Sequence, residues 1–196
     1  PLNGFDLFNY MGLIVCARAR DYAEITFHKF ADELEAKDAA GQYAFGAPEN
    51  EKHRVTWEGI AVWTYLGATF KGLKNQGAVM TGSAYPGLWS LVYTPGDLES
   101  MAEAYTNVYI NTCGPNRYEE FYKVVKNSKS DGIVLHLNRS CKLMGLLNNE
   151  GAEYVNAKLG VPYVSFDGDQ TDPRVFTPAQ YETRVQALTE MMDENQ

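Results

Sequence analysis

Cys141 stands in "HLNRSCKLMG" between Arg139 and Lys142, where an apolar run gives way to a helical pattern. A thiol at a helix start meets unpaired backbone N–H groups, and with cations on both sides this setting favours the thiolate, the form that binds metals and attacks electrophiles. A lone cysteine is more often a small core residue, so spacing alone leaves both readings open. A cysteine nucleophile would need a histidine, and the chain offers His28, His53 and His136. On a strand His136 shares a face with Asn138 and is not directed at position 141, which makes a weak dyad.

A second group is "DGDQTD", which puts Asp167, Asp169 and Asp172 in one loop. A calcium loop of the EF-hand type needs Gly at its sixth position and Glu at its twelfth; Asp172 and Pro178 stand there instead. Turn formation and capping of backbone N–H groups is the better reading of these acids. Trp57, Glu58 and Trp63 either line a pocket or pack, and the methionines read as core filler. Cys16 and Cys113 read as structural, Cys113 within the loop-like "NTCGPN". Neither GxGxxG nor a Walker loop is present, which removes the usual support for dinucleotide or nucleotide binding.

Composition narrows the class. The chain has 196 residues, 45% of them hydrophobic, with 13 Tyr, 9 Phe and 3 Trp, enough for one substantial core. Seventeen Lys and Arg against 25 Asp and Glu give a formal charge of -8, which argues against a nucleic-acid partner. No run approaches the ~18 apolar residues of a membrane span, and "LIVCA" lacks the basic flank and cleavage site of a secretory signal. Three cysteines without CxxC spacing support neither a disulfide scaffold nor a self-contained zinc site, so a cytoplasmic location is expected. Pro1 fits either ordinary processing or a cut from a longer protein.

The elements that must position these residues follow from periodicity. Ala23, Phe27, Phe30, Ala31 and Leu34 mark an amphipathic helix from Arg18 to about Ala39, and residues 41–52 read as a linker. From His53 strand-like and helix-like stretches alternate. "HRVTWEGIAVW" precedes a helix capped by Thr64 and ended by Gly77, and "AVMTGSAY" follows as a strand. Asp97 caps "LESMAEAYTNVYI", and residues 117–126 form a shorter helix. Ile133, Val134, Leu135 and Leu137 form a strand buried on both faces, followed by one helix over "CKLMGLLNNEGAEYVNAKL" closed by Gly160. "VPYVSF" is a fourth strand. Thr177 and Gln180 make a capping box, with Pro178 at the first helical position, for a helix carrying Tyr181, Val185, Leu188 and Met192. The expected fold is α/β: a doubly wound, flavodoxin-like, four-stranded parallel sheet flanked by helices over 51–196, with an N-terminal helical connector over 1–50.

Three blocks, "RVTWEGIAVWTYLGATFKGLKNQGAVMTGSAYPGLW", "DGIVLHLNRSCKLMG" and "FDGDQTDPRVFTPAQYETRVQALTEMM", resemble in order and spacing the C-terminal half of subunits of the 2-hydroxyacyl-CoA dehydratase family. That family includes the 2-hydroxyglutaryl-CoA dehydratase D-component and the ATP-dependent benzoyl-CoA reductases. The resemblance implies a catalytic subunit holding an oxygen-sensitive 4Fe-4S cluster through three cysteines, the third matching Cys141. The other two belong to an N-terminal domain, and Cys16 is in the wrong context to be one. The resemblance therefore implies the C-terminal part of a subunit roughly twice as long.

It further implies a heterodimer with a related second subunit and an ATP-hydrolysing iron-sulfur activator that supplies one electron. The electron would convert the thioester of a 2-hydroxyacyl-CoA to a ketyl radical anion, which expels the 2-hydroxyl, loses a 3-proton and returns the electron to give a 2-enoyl-CoA, as in anaerobic amino-acid fermentation. Topology places His136, Asn138, Arg139, Ser140 and Lys142 beside Cys141, and Glu58, Trp63, Ser83 and Tyr85 at neighbouring strand ends, as substrate-pocket candidates. The rival readings are a benzoyl-CoA reductase subunit, a non-catalytic flavodoxin-like assembly module, and a flavin or nucleotide protein of the same architecture.

Overall fold

The computed structural model describes residues 1–195. Four parallel strands, β1 (His53–Glu58), β2 (Ala78–Ser83), β3 (Gly132–Asn138) and β4 (Tyr163–Gly168), form one sheet in the order β2-β1-β3-β4. The order reverses between β1 and β3, the switch point of a doubly wound sheet, as the alternation of strand and helix patterns requires.

Helices cover both faces. Side chains alternate along β3: Val134 faces one cluster, with Trp57, Phe166, Tyr181, Val185 and Leu188, while Ile133 and Leu135 face another, with Phe121, Val125, Ala152 and Val155. The first cluster is capped by α1 (Gly4–Cys16), α3 (Leu66–Asn75) and α8 (Pro178–Glu194), the second by α5 (Gly114–Asn127) and α7 (Asn148–Leu159). α2 (Asp21–Ala39) and α4 (Leu98–Thr106) lie outside these layers, and α6 (Lys142–Gly145) is a single turn after β3. No helix among the described residues is long and apolar enough to cross a membrane.

The elements expected from the sequence begin at Arg18 and do not include α1, yet this helix seals the first core. Asn3 and Asp6 form a reciprocal capping box: the Asn3 side chain accepts from the Phe5 N–H at 3.2 Å, and Asp6 accepts from the Asn3 N–H at 3.3 Å. Phe5, Phe8 and Met11, three residues apart, are then buried, and Phe5 meets Trp57 edge to face at 5.6 Å.

Several local expectations change. The stripe of α2 is largely uncovered: of its residues Ala23 is buried, while Phe27 and Phe30 are half-covered beside the ring of Tyr10. Thr64 does not cap α3, because residues 63–65 form a 3-10 turn and the helix starts at Leu66 without a side-chain cap. Thr177 precedes α8 without a side-chain cap bond, and its carbonyl accepts from Tyr181 while Pro178 sets the first turn. The helix expected from Cys141 to Leu159 breaks into α6 and α7 at Leu146 and Leu147. Asp97 does cap α4, through Glu99 and Ser100, and Gly160 ends α7 at φ 71°.

Candidate functional site at the carboxyl edge of the sheet

The strand ends bring four short segments together. β1 ends in Glu58, opposite Leu135, and Asn138 at the end of β3 pairs with Gly168 of β4. Gly59 lets the chain leave β1: it takes φ 103°, and a Cβ there would sit 2.6 Å from the His136 carbonyl oxygen, so both conformation and space demand glycine.

The loop carrying Cys141 is tied to the β4 loop. Asn138, buried, accepts through Oδ1 from the N–H groups of Ser140 (3.2 Å) and Gln170 (3.3 Å), and its amide donates to Gln170 Oε1 at 3.2 Å. Ser140 donates its hydroxyl to Asp169, whose other oxygen accepts from the N–H groups of Thr171 and Asp172, each at 2.9 Å. These bonds, the one from Ser140 first, hold the Asp169 carboxyl well below the usual carboxylate range. The Arg139 N–H reaches the Gly168 carbonyl at 3.1 Å, and its guanidinium lies 3.5 Å from Asp167. The acids of "DGDQTD" thus make turns and pairs, as their loop chemistry suggests.

Cys141 itself is half-buried, carries a free thiol, and packs on the edge of the first core cluster. Its N–H donates to the Asn138 carbonyl at 3.3 Å and its carbonyl accepts from Gly145 at 3.0 Å, which closes the one turn of α6. The electrostatic reading of the sequence is corrected here. With only four residues, α6 lacks the aligned peptide dipoles of a long helix, and Arg139 is engaged with Asp167. Lys142 is exposed, as are its neighbours Leu143 and Leu146, so the thiol lies beside a mixed apolar and cationic rim.

The remaining candidates divide between surface and interior. Tyr85 lies close enough to Cys141 for a charge on the thiol to raise its hydroxyl, which burial has already pushed up. Tyr85 and Trp63, ring centroids 6.5 Å apart, line a largely apolar groove of about 450 Å³ with Phe8, Met11 and Trp89. Ser83 turns away: its hydroxyl accepts from the Tyr85 N–H, and it borders a separate depression with Val92 and Tyr109. His136 is fully buried, stacked on Phe166 at 5.1 Å, with Nδ1 2.5 Å from the Ile60 carbonyl and Nε2 without a hydrogen-bond partner among the described residues. Burial pushes its pKa down, so it is a neutral core ring under the site.

Glu58 is also fully buried, and burial pushes its carboxyl up to about 7 against the opposing pull of Tyr109 and Arg117. The Tyr109 hydroxyl donates to Oε1 at 2.8 Å, and Arg117 Nη2 lies 4.0 Å from the same oxygen. Arg117, Tyr109 and Asn148 are absent from the sequence-based candidates. Arg117 reads there as an ordinary polar residue of a first helical turn, and pairing with residues 59 and 31 positions away leaves no local pattern.

The donor chemistry at Cys141 fits one ligand of an iron-sulfur cluster: a free thiol at the carboxyl edge of the sheet, on a loop braced by hydrogen bonds. Among the described residues no group of three or more His, Cys, Asp or Glu could hold a metal by itself.

Comparison with known proteins identifies the family. The family described as 2-hydroxyglutaryl-CoA dehydratase, D-component, matches residues 1–192. Relatives include lactoyl-CoA dehydratase subunit alpha of Anaerotignum propionicum, 61% identical over 197 residues (100% of this chain, 46% of the relative). The (R)-2-hydroxyisocaproyl-CoA dehydratase alpha subunit of Clostridioides difficile is 43% identical over 194 residues (99% and 47%). The (R)-phenyllactyl-CoA dehydratase alpha subunit of Clostridium sporogenes is 38% identical over 192 residues (98% and 46%). The chain spans about half the length of the curated relatives it matches. The chain belongs to the 2-hydroxyglutaryl-CoA dehydratase D-component family.

Proposed function

We propose that this chain is part of an alpha-type subunit of a 2-hydroxyacyl-CoA dehydratase, a hydro-lyase that removes water from a 2-hydroxyacyl-CoA to give a 2-enoyl-CoA. The observation that carries the proposal is the position of Cys141: half-buried, free, and held on a braced loop at the carboxyl edge of the sheet. Similarity along the whole chain to dehydratase alpha subunits supports it, and the word "alpha" in their names supports a related second subunit as partner.

In this reading Cys141 is one thiolate ligand of a 4Fe-4S cluster whose other cysteines come from outside this chain. When bound, such a cluster supplies the single electron, delivered by an ATP-dependent iron-sulfur activator in the cytoplasm, that makes the 2-hydroxyl a leaving group in a ketyl-radical elimination. The residues of this chain bind and orient. Asn138 and Ser140, through Gln170 and Asp169, fix the loop and hence the direction of the thiol. Lys142, exposed beside the thiol, presents positive charge where a CoA phosphate would approach, in an otherwise acidic chain. Trp63 and Tyr85 wall an apolar groove suited to the acyl chain.

The test is iron and acid-labile sulfide in the anaerobically purified intact protein and its Cys141→Ser variant, followed by dehydration assays with lactoyl-, 2-hydroxyisocaproyl- and phenyllactyl-CoA. Loss of cluster in the variant, with turnover of one of these thioesters by the unaltered protein, is expected. Full iron content in Cys141→Ser overturns the ligand assignment, and an iron-free parent overturns the functional proposal.

A further inference from the structure

The proposed chemistry leaves a buried carboxyl, phenol and guanidinium unused. Glu58 ends β1, Tyr109 lies in the turn before α5, and Arg117, 2% exposed, projects from the first turns of α5. Glu58 Oε1 takes the Tyr109 bond and faces Arg117, while Oε2 has no hydrogen-bond partner among the described residues. The guanidinium lies 4.7 Å over the Tyr109 ring. On its other side it donates to the Leu143 carbonyl and to Asn148 Oδ1 at 3.4 Å, and Met144 Sδ lies 3.7 Å away. Asn148 in turn donates to the His136 carbonyl at 3.5 Å.

Beyond its contacts with Glu58 and Tyr109, each of these Arg117 bonds falls within 143–148, the segment that follows Cys141. A buried guanidinium is costly, and apolar side chains of similar volume often replace buried ion pairs without loss of stability. An apolar residue could not serve the Leu143 carbonyl, which a one-turn helix leaves without the partner that a continuing helix would provide. Lysine could not span these acceptors as a planar fork does. We infer that Arg117, held by Glu58 and Tyr109, is a positioning residue for Cys141: it pins α6 and the start of α7 from within the core and so fixes the thiol from its C-terminal side. The β4 loop fixes it from the N-terminal side through Ser140. The catalytic meaning of this rests on Cys141 being a cluster ligand, but the geometric claim can be read without the cluster.

The experiment compares the intact protein with Arg117→Met, Arg117→Lys and Glu58→Gln, with Cys141→Ser as control. In iron-free protein, Arg117→Met should raise the rate of Cys141 alkylation by iodoacetamide roughly tenfold. Amide exchange should speed up more over 141–148 than over β1 or β3, whose exchange follows only the global loss of stability; the excess is the signature of local opening. Arg117→Lys should not restore either rate. Glu58→Gln keeps an acceptor for Tyr109, so it is the variant that folds if Arg117→Met does not, and it should give the same regional pattern at smaller amplitude. In the anaerobic holoprotein the electron-spin resonance spectrum of the reduced cluster should change in Arg117→Met. Wild-type alkylation and exchange over 141–148, or exchange accelerated uniformly through the sheet, would overturn the inference. Iron retained by Cys141→Ser would overturn the ligand reading alone, since alkylation and exchange decide the positioning role by themselves.

Discussion

Glu58 and Asp169 are both buried carboxyl groups at the carboxyl edge of one sheet, and their surroundings drive them in opposite directions. Asp169 collects one hydroxyl and two backbone N–H donors, and those bonds hold its carboxyl well below the usual range. Glu58 has one phenol donor, a guanidinium at 4.0 Å and an oxygen with no hydrogen-bond partner among the described residues, so burial wins and lifts it from 4.5 to about 7. Hydrogen bonds to the charged form outweigh desolvation when donors surround the group; a single donor and a distant cation do not. The two regions thus brace one loop by different means: a charged turn at the rim and an ion pair in the core.

The strongest test of this contrast removes the core cation. Arg117→Met leaves Glu58 buried without its partner, and breaking a buried pair costs about 3–5 kcal/mol. Denaturant unfolding at pH 8, where Glu58 is ionised, should show that loss, and at pH 5, where the carboxyl takes up a proton, the loss should shrink. An equal loss at both values would mean that packing, and not the stranded charge, sets the cost.

The sign of the pH dependence sharpens the comparison. Because the folded-state value of Glu58 lies above the unfolded one, the folded state keeps a proton between pH 4.5 and 7 that the unfolded chain releases. Its contribution is therefore present below about pH 4.5 and lost as the pH rises through about 7, a change of order 3 kcal/mol at most. Asp169 works the other way: its contribution is present above the ordinary carboxylate value and lost as the pH falls through its depressed value. Glu58→Gln should remove the decline in stability between pH 4.5 and 7 and leave the acid limb unchanged, as measured by thermal melting across pH.

At the rim the effects are smaller. Asp169→Ala leaves the N–H groups of Thr171 and Asp172 and the hydroxyl of Ser140 without their acceptor, and should cost about 1–2 kcal/mol, partly recovered by water. Ser140→Ala breaks only the hydroxyl bond and should cost less than Asp169→Ala in the same denaturation experiment. If the order reverses, the bond from Ser140 carries more of the loop than the backbone turn does.

How far these features were legible depends on the range of the interactions behind them. The strands, their parallel sense, the cap at Asp97 and the stop at Gly160 are local patterns, and the structure has them. The α1 helix carried its own signals, Asn3 with Asp6 and the spacing of Phe5, Phe8 and Met11, hidden by the short apolar run that ends it. The break between α6 and α7 was not legible: "CKLMGLLNNEGAEYV" reads as one helix, whereas Arg117 and the His136 carbonyl together hold Asn148, through its Oδ1 and its amide N–H, and Arg117 also holds the Leu143 carbonyl. The site divides in the same way. Asn138, Ser140 and the Asp loop were visible because strand topology places them side by side. The buried group joins Glu58 to Tyr109 and Arg117, 51 and 59 positions away, and no periodicity records such a meeting.

The smallest expected effect tests the exposed limit of the same loop. Arg174 meets Asp172 through Nε at 2.9 Å and a second contact at 2.6 Å, and holds its carboxyl at about 2, yet the Arg174 side chain is 87% exposed. Water and salt screen such a pair, and holding two long side chains in one geometry costs rotamer entropy that offsets the attraction. Arg174→Ala should therefore leave the unfolding midpoint unchanged while the Asp172 carboxyl, followed by NMR titration, rises toward the ordinary carboxylate value. The rise should be incomplete, because the N–H of residue 174 still donates to Asp172 at 3.0 Å. A shifted midpoint would instead show that this rim pair carries load into the loop, and the division between a stabilising core brace and a geometric rim brace would have to be redrawn.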